Sequence, residues 1–497
     1  MAFKSKLLKP LAKFIHHRVK VDAKNALRDQ ERILRTITQK AQDTKFGRDH
    51  HFKSIKSIKD FRAHVPIKDY EGLKKYFDML VDGQADILWP GLPKYLAKTS
   101  GTTSGVKYIP ISNESVSNHF VSARNATFNH CYLAKNLQIF DGHLIFLSGS
   151  PKLDKTSGID TGRLSGIVNH EVPNWVKKNQ LPSYATNLIS DWEEKLDKIV
   201  EETYNKDMRM ISGIPPWVQM YYEKLLAKTG KENIQSIFPN FKLFTYGGVN
   251  FSPYQSSLEN LTGGKILSLE TFPASEGFIA FQDQVENDGL LLNTNSGIYF
   301  EFVPIDQIEY DDKDRLSLQD VELDKDYVLI INSNAGLWGY NIGDTVRFVS
   351  KEPYKFIVSG RIKHYISAFG EHVIGKEVEQ AILEAGQKFD ISVAEFTVAP
   401  QVNPSGDVLP YHEWLVEFGK APKDLKLLAK EIDRAMQEQN IYYKDLRVGN
   451  VLQELKLNSL AAGSFRKYME SKGKLGGQNK VPRLSNDRKI AADLLSQ

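Results

Sequence analysis

The sequence predicts an α/β protein: a large N-terminal domain of β-sheets flanked by helices with a barrel-like subdomain, and a small mobile α+β domain at the C-terminus. Three observations lead to this. At 497 residues the chain exceeds what one hydrophobic core supports. Between Tyr95 and Asn332, apolar runs of strand length alternate with stretches of helical spacing, the pattern of a buried sheet. Beyond Ser359–Lys363 the pattern changes to two helical segments and two strands, dividing the chain into residues 1–362 and 363–497.

Composition narrows the class. Apolar residues make up 41% and charged residues 25%, as in a soluble globular protein. With 65 basic and 61 acidic residues, the balance of +4 is too even to point to nucleic acid. A single cysteine, Cys131, excludes an internal disulfide and a cysteine-rich metal site, and reads as a core thiol in a reducing compartment. No apolar run approaches the roughly 20 residues of a membrane span. The expectation is a cytoplasmic monomer acting on small molecules.

The N-terminal stretch MAFKSKLLKPLAKFIHHRVK is basic and amphipathic but lacks the apolar core and cleavage site of a signal peptide, so a packed or loosely attached helix is expected. Asp22–Ala41 sets Ala23, Ala26, Leu27, Ile33, Leu34, Ile37 and Ala41 at helical spacing. A second helix follows Pro66, in YEGLKKYFDML, and a third runs from Glu114 to Ala134. His143–Ser148 reads as a strand, and Gly158–Asn174, rich in glycine and without period, as a substrate-facing loop or plain surface. Asp191 and Glu194 resemble a capping box opening a helix through Glu202. Met208–Ile214 is a strand, Trp217–Ala227 a helix, and Lys242–Tyr246 and Lys265–Glu270 are strands running into Gly247-Gly248 and Thr271–Gly277. Ligands of open α/β sheets lie beyond such carboxyl ends, which makes Gly248 a nucleotide-site candidate. Gly289–Asn293, Ile298–Pro304 and Tyr327–Asn332 are the strands of the barrel-like part. In the small domain, Ile374–Phe389 and Pro422–Gln437 read as helices, and Ile391–Ala399 and His412–Phe418 as strands. The pairs His16-His17 and His50-His51 have no carboxylate cluster beside them, and adjacent side chains point apart, so no metal site is expected there.

The densest chemistry lies in Thr99–Lys107, TSGTTSGVK. Gly101 and Gly105 permit backbone angles that let successive N–H groups converge on an anion. Ser100, Thr102, Thr103 and Ser104 add donors, and Lys107 adds a charge, which together suit a polyphosphate. The run is not a Walker loop, because Val106 intervenes and Tyr-Ile-Pro follows the lysine. A polar hairpin turn is the plain alternative. TSGTTSGVK resembles the phosphate loop of adenylate-forming enzymes, in particular that of the Gretchen Hagen family of acyl-acid amido synthetases, and the approach to it (VPI.DY through LP.YLAKTSGTTSG) is similar too.

Four further motifs fall in that family's order. FPASEG at Phe272–Gly277 resembles its aromatic-plus-Ser-Glu motif. The resemblance implies that Phe272 stacks on adenine (where the family more often has tyrosine), that Ser275 lines the nucleotide, and that Glu276 holds Mg²⁺ against the phosphates. YNIGD is similar to Tyr-x-x-Gly-Asp, which gives Asp344 the ribose hydroxyls. SGRIKHYISAFGEHVIGKEVE resembles the superfamily hinge, with Arg361 on the ribose, Lys363 as pivot and Glu377-Val378-Glu379 opening the first helix of the small domain. GGQNKVPR at Gly476–Arg483 is close to the family's ending, which makes Lys480 the mobile lysine of the α-phosphate.

The implied reaction uses ATP and Mg²⁺ to activate a carboxylic acid by in-line attack on the α-phosphate, a transition state stabilised by charge. Lys107 would neutralise departing pyrophosphate and Lys480 the α-phosphate, and the acyl-adenylate would then meet an amine, by resemblance that of an amino acid. A thiol acceptor, as in acyl-CoA synthetases, and a non-catalytic nucleotide-binding relative are the alternatives. Candidates for the acyl pocket are Arg124, the stretch Gly158–Asn174 and Trp217–Tyr221, which carry no readable code for the acid.

Overall fold

The computed structural model describes residues 3–102, 105–248, 251–308, 314–362, 365–371, 373–406, 408–472 and 481–496. The chain divides into two compact units: Met1–Thr99, Lys107–Ile189 and Leu196–Ile362 form the first, and Ser100–Val106, Ser190–Lys195 and Lys363–Gln497 the second.

The principal helices of the first stretch are α1 (Phe3–Lys24), α2 (Ala26–Ala41) and α3 (Tyr70–Val81), followed by strands β1 (Tyr95–Thr102) and β2 (Gly105–Ile111) and by helix α4 (Asn113–Leu133). The N-terminal helix is packed: Ala12, Ile15 and Val19 share a core with Ala126, Phe128 and Cys131 of α4. Cys131 is fully buried, and burial pushes its thiol pKa up, as for an inert core residue. In α2 the predicted face buries Ala26, Ile33, Leu34, Ile37 and Ala41. Leu27 departs from that face, 40% exposed, and Ala23 belongs to α1, because the chain turns between the helices at Asn25. Gln30 is buried on the same face because its amide donates to the carbonyls of Thr294 and Ile298 while its oxygen accepts from Phe300 N–H.

Then come β3 (His143–Phe146), β4 (Asp154–Thr156), β5 (Ile159–Gly162), α5 (Leu164–Glu171), β6 (Gln180–Leu181), α6 (Trp192–Thr203), β7 (Met208–Ser212), α7 (Pro215–Thr229), β8 (Leu243–Gly247), α8 (Ser252–Thr262), β9 (Ser268–Ala274), β10 (Gly277–Gln282), β11 (Leu290–Leu292), β12 (Ile298–Pro304), β13 (Asp326–Ser333), β14 (Tyr340–Lys351) and β15 (Tyr354–Arg361). Among the described residues, eleven of these strands form one sheet, ordered β12-β13-β14-β15-β11-β10-β9-β8-β7-β3-β6. From β6 to β9 all neighbours are parallel, with helices as crossovers; from β9 to β12 all are antiparallel. The strands expected in a barrel-like part are thus the antiparallel half, continuous with the parallel half. Strands β10 to β13 are buried along nearly their whole length, so they read as unbroken apolar runs. Glu301, fully buried on β12, is matched by Arg62, Arg315 and Asn332. A second sheet is ordered β2-β1-β5-β4.

Gly158–Asn174 is not a loop. Its first part completes the β4–β5 hairpin, whose turn at Ser157-Gly158 takes left-handed angles, and β5 pairs in parallel with β1 from Tyr95↔Asp160 to Ala97↔Gly162. Its second part is α5, with Gly166 and Ile167 buried. Glycine there serves close packing, since a Cβ on Gly166 would lie 2.8 Å from the Ser150 carbonyl oxygen.

In the second unit, β16 (Tyr365–Ile366) and β17 (Val373–Ile374) form a small ribbon leading into α9 (Gly375–Phe389). Strands β18 (Ser392–Gln401), β19 (Tyr411–Lys420) and β20 (Lys456–Leu460) form its sheet, with α10 (Leu425–Gln439) and α11 (Ile441–Val448) between the last two. Glu377, in the first turn of α9, accepts from the N–H of the N-cap residue Ile374 at 2.9 Å and from the Asn440 amide at 3.0 Å. Burial nevertheless pushes its carboxyl up to about 7. A raised carboxyl favours the fold fully below its unfolded value and loses that contribution as the pH rises through the folded one. Protection of α9 against hydrogen exchange, corrected for intrinsic rates, is therefore expected to fall between pH 4.5 and about 7, and the fall to be flattened in Glu377→Gln. Parallel profiles for the two proteins would refute the assignment.

Candidate active site

The carboxyl ends of β8 and β9 lie side by side. Gly247 pairs with Thr271, whose hydroxyl donates to the Tyr246 carbonyl at 3.0 Å, and Gly248 follows with φ of 82°. Strand β9 begins and ends later than the apolar run Lys265–Glu270 suggests, because β8 and β10 both pair with it. Phe272 is therefore a strand residue, and Ser275 and Glu276 are the turn joining β9 to β10, where Ala274 pairs with Gly277. Gly277 is closely packed: a Cβ there would lie 2.4 Å from Cδ1 of Ile298, whose side chain would have to turn aside. Ser275 and Glu276 are half-buried at this turn.

One carboxylate at an accessible turn suits Mg²⁺, which takes one or two protein carboxylates and draws its other ligands from phosphate and water. No group of three acidic, histidine or cysteine residues that could cage a metal occurs among the described residues. His16 and His50 have structural roles, bonded to Asn129 and to the His64 carbonyl.

The Phe272 ring is half-buried on the main core, edge-on to Phe356 of β15 with centroids 6.3 Å apart. At the far end of β15, Arg361 pairs with Asp344 of β14, so the two residues expected at the ribose share one rung. Gly343, with φ of 87°, precedes Asp344 in a conformation that glycine tolerates and other residues resist. Its N–H is held by Asn341 and its carbonyl by Ile362 N–H.

The phosphate-loop candidate joins β1 to β2. Lys107 lies on β2, half-exposed, its ammonium 5.8 Å from the centre of the Tyr70 ring. Tyr70 accepts from Tyr108 N–H, and burial pushes its hydroxyl up to about 12. Backbone placement alone is described for Ser100, Gly101, Thr102, Gly105 and Arg361; Thr103, Ser104, Lys363 and Lys480 lie outside the described residues.

Of the acyl-pocket candidates, Arg124 is exposed on α4 and bonds its neighbour Asn125, whereas Trp217, in the first turn of α7, is half-buried. Past the end of β3, Ser148, which the sequence reading did not single out, accepts from Asn169 at 3.1 Å, and Arg163 lies beside Gly149, both partners belonging to the candidate stretch Gly158–Asn174. For Ser148 itself the signal was the Ser-Gly-Ser exit from a strand.

A mixed sheet with loop-bearing carboxyl ends on its parallel half, followed by a small α+β unit, defines an α/β protein whose ligand site is expected at those ends. The chain belongs to the GH3 family: the GH3 family N-terminal domain is matched over residues 15–180 and 148–267, the central domain over 291–361 and the C-terminal domain over 376–489. It is similar to the indole-3-acetic acid-amido synthetase GH3.3 of Arabidopsis thaliana, 22% identical over 91% of this chain and 88% of that protein. It is also similar to the jasmonoyl–L-amino acid synthetase GH3.5 of Oryza sativa subsp. japonica, at 21% over 93% of each. Among solved structures, the AtGH3.15 acyl acid amido synthetase in complex with 2,4-DB superimposes with a TM-score of 0.60 at 16% identity, covering 98% of this chain and 96% of that one, so the fold is shared.

Proposed function

We propose that the protein is an acyl-acid amido synthetase, activating a carboxylic acid with ATP and passing the acyl group to an amino-acid amine. The observation carrying this is the placement of Gly248, Phe272, Ser275 and Glu276 at the adjoining ends of β8 and β9, in a chain of the GH3 family. Phe272 offers a ring face to adenine. Asp344 accepts both ribose hydroxyls, as an ionised carboxylate does well. Lys107 and the hairpin N–H groups take up charge on the departing pyrophosphate. Mg²⁺ held by Glu276 and the phosphates supplies further neutralisation when bound. Lys480 covers the α-phosphate as the acid's oxygen attacks and the bond to pyrophosphate breaks. The amine then attacks the acyl carbonyl, and AMP leaves.

The test is pyrophosphate release across a panel of carboxylic acids, with amino acids or coenzyme A as acceptor. Acid-dependent release, with AMP turnover sustained by an amino acid, is expected. Turnover sustained by coenzyme A alone would make the protein a thioester ligase, and ATP binding without acid-dependent release would make it a binding protein.

Because Phe272 also packs on the core, Phe272→Leu separates stacking from packing. It is expected to weaken ATP binding by about 1 kcal/mol, roughly fivefold, with little loss of stability. Unchanged ATP affinity by calorimetry would move the adenine elsewhere.

A further inference from the structure

The N-terminal helix carries a feature that the proposed chemistry does not use. Its core face is spent on α4, through Ala12, Ile15 and Val19. Leu7, Leu11, Phe14 and Val21 nevertheless stand 63%, 39%, 60% and 40% exposed. Spaced by four, three and seven residues, they form one strip along the helix, away from the core face. Lys6, Lys9, Lys13, Lys20 and Lys24, all exposed, fall at the same kind of spacing on the strip beside it.

Charge is concentrated here too. Within Phe3–Lys24 there are seven basic residues and one acidic, Asp22, whereas the remainder of the chain has 58 basic and 60 acidic. The helix thus holds a net +6 on a chain whose remainder is slightly negative.

We propose that the outer face of α1 docks the protein on an anionic lipid surface, the helix lying in the plane of the interface. The apolar strip enters the headgroup–acyl boundary, and the lysines, whose stems let their ammonium groups reach outward, meet lipid phosphates. An apolar strip alone would suit a second copy of the chain or another protein. The flanking row of lysines chooses among them, because it repels a second copy of itself and attracts a negative surface.

The experiment is co-sedimentation of the full chain with sucrose-loaded vesicles, either of phosphatidylcholine alone or of phosphatidylcholine mixed with phosphatidylglycerol, at low and high sodium chloride. At low salt, about tenfold more protein is expected on the anionic vesicles, and the excess is expected to vanish at high salt. Phe14→Asp and the double variant Lys9→Glu/Lys13→Glu, all exposed positions, are each expected to lose about tenfold in binding while keeping the circular dichroism and pyrophosphate release of the parent. Equal binding to both vesicles, no binding to either, or undiminished binding of both variants would overturn the proposal. So would a dimer, seen by sedimentation velocity, that Phe14→Asp abolishes.

Discussion

Asp344→Ala is expected to weaken ATP binding by about 2–3 kcal/mol, roughly 30- to 150-fold in Kd, while leaving the fold intact. Both halves of that expectation come from its rung. The strand is fixed on either side by backbone pairs, Ile330↔Asn341 before it and Thr345↔Gly360 to Lys351↔Tyr354 after it, and Asp344 itself is half-buried at the end of the ladder with β15. Removing the carboxylate therefore leaves these strand pairs in place. In the proposed ribose role, it also removes an acceptor for two hydroxyls at once, the kind of charge-assisted contact whose loss is felt most. Asp344→Asn, which keeps one carbonyl oxygen, is expected to fall between the two. Titration calorimetry on each folded variant checks this, and an affinity equal to that of the parent would take Asp344 out of the ribose role.

The same rung shows which parts of the structure the sequence made legible. Local pattern was enough for the face of α2, for Asp191 at the start of α6, where it accepts from Glu194 N–H, and for the strand ends at Gly247-Gly248, because spacing and turn chemistry act within a few residues. It was not enough for the sheet as a whole. Strand β11 pairs with β15 through Leu290↔Phe356, a register that only tertiary packing sets, so the sequence showed a barrel-like subdomain within the large domain and not how its strands join the parallel half. The extension of β9 to Ala274 has the same origin: its proline and small residues do not look like a strand until β10 folds back on them. The hairpin and helix within Gly158–Asn174 were hidden because their glycines answer to neighbours distant from any local period. Arg124 shows the limit for substrate. Its residue type suits a carboxylate, but only the fold reveals that it faces solvent from α4.

Lys480→Ala is expected to slow adenylation by roughly 10²–10³ and to leave acyl transfer from supplied acyl-adenylate nearly unchanged. The segment that follows it is firmly placed. Val481 is buried with Ala399, Leu415 and Phe465, the Pro482 carbonyl accepts from Thr397, and Val398 N–H donates to the Arg483 carbonyl. These contacts are made by Val481, Pro482 and Arg483 themselves, so an alanine replacing Lys480 is expected to remove a charge and to leave them in place. In the first half-reaction, negative charge gathers on the α-phosphate oxygens as the acid attacks, and a preorganised ammonium is worth most at that moment. In the second, the charge leaves with AMP while the bond forms at the acyl carbonyl, so the same ammonium contributes little. Lys480→Arg, which keeps the charge with different geometry, is expected to recover part of the first step. Single-turnover measurement of each half-reaction decides the matter. Equal losses in both steps for Lys480→Ala would show that the lysine supports the protein generally and does not serve the α-phosphate.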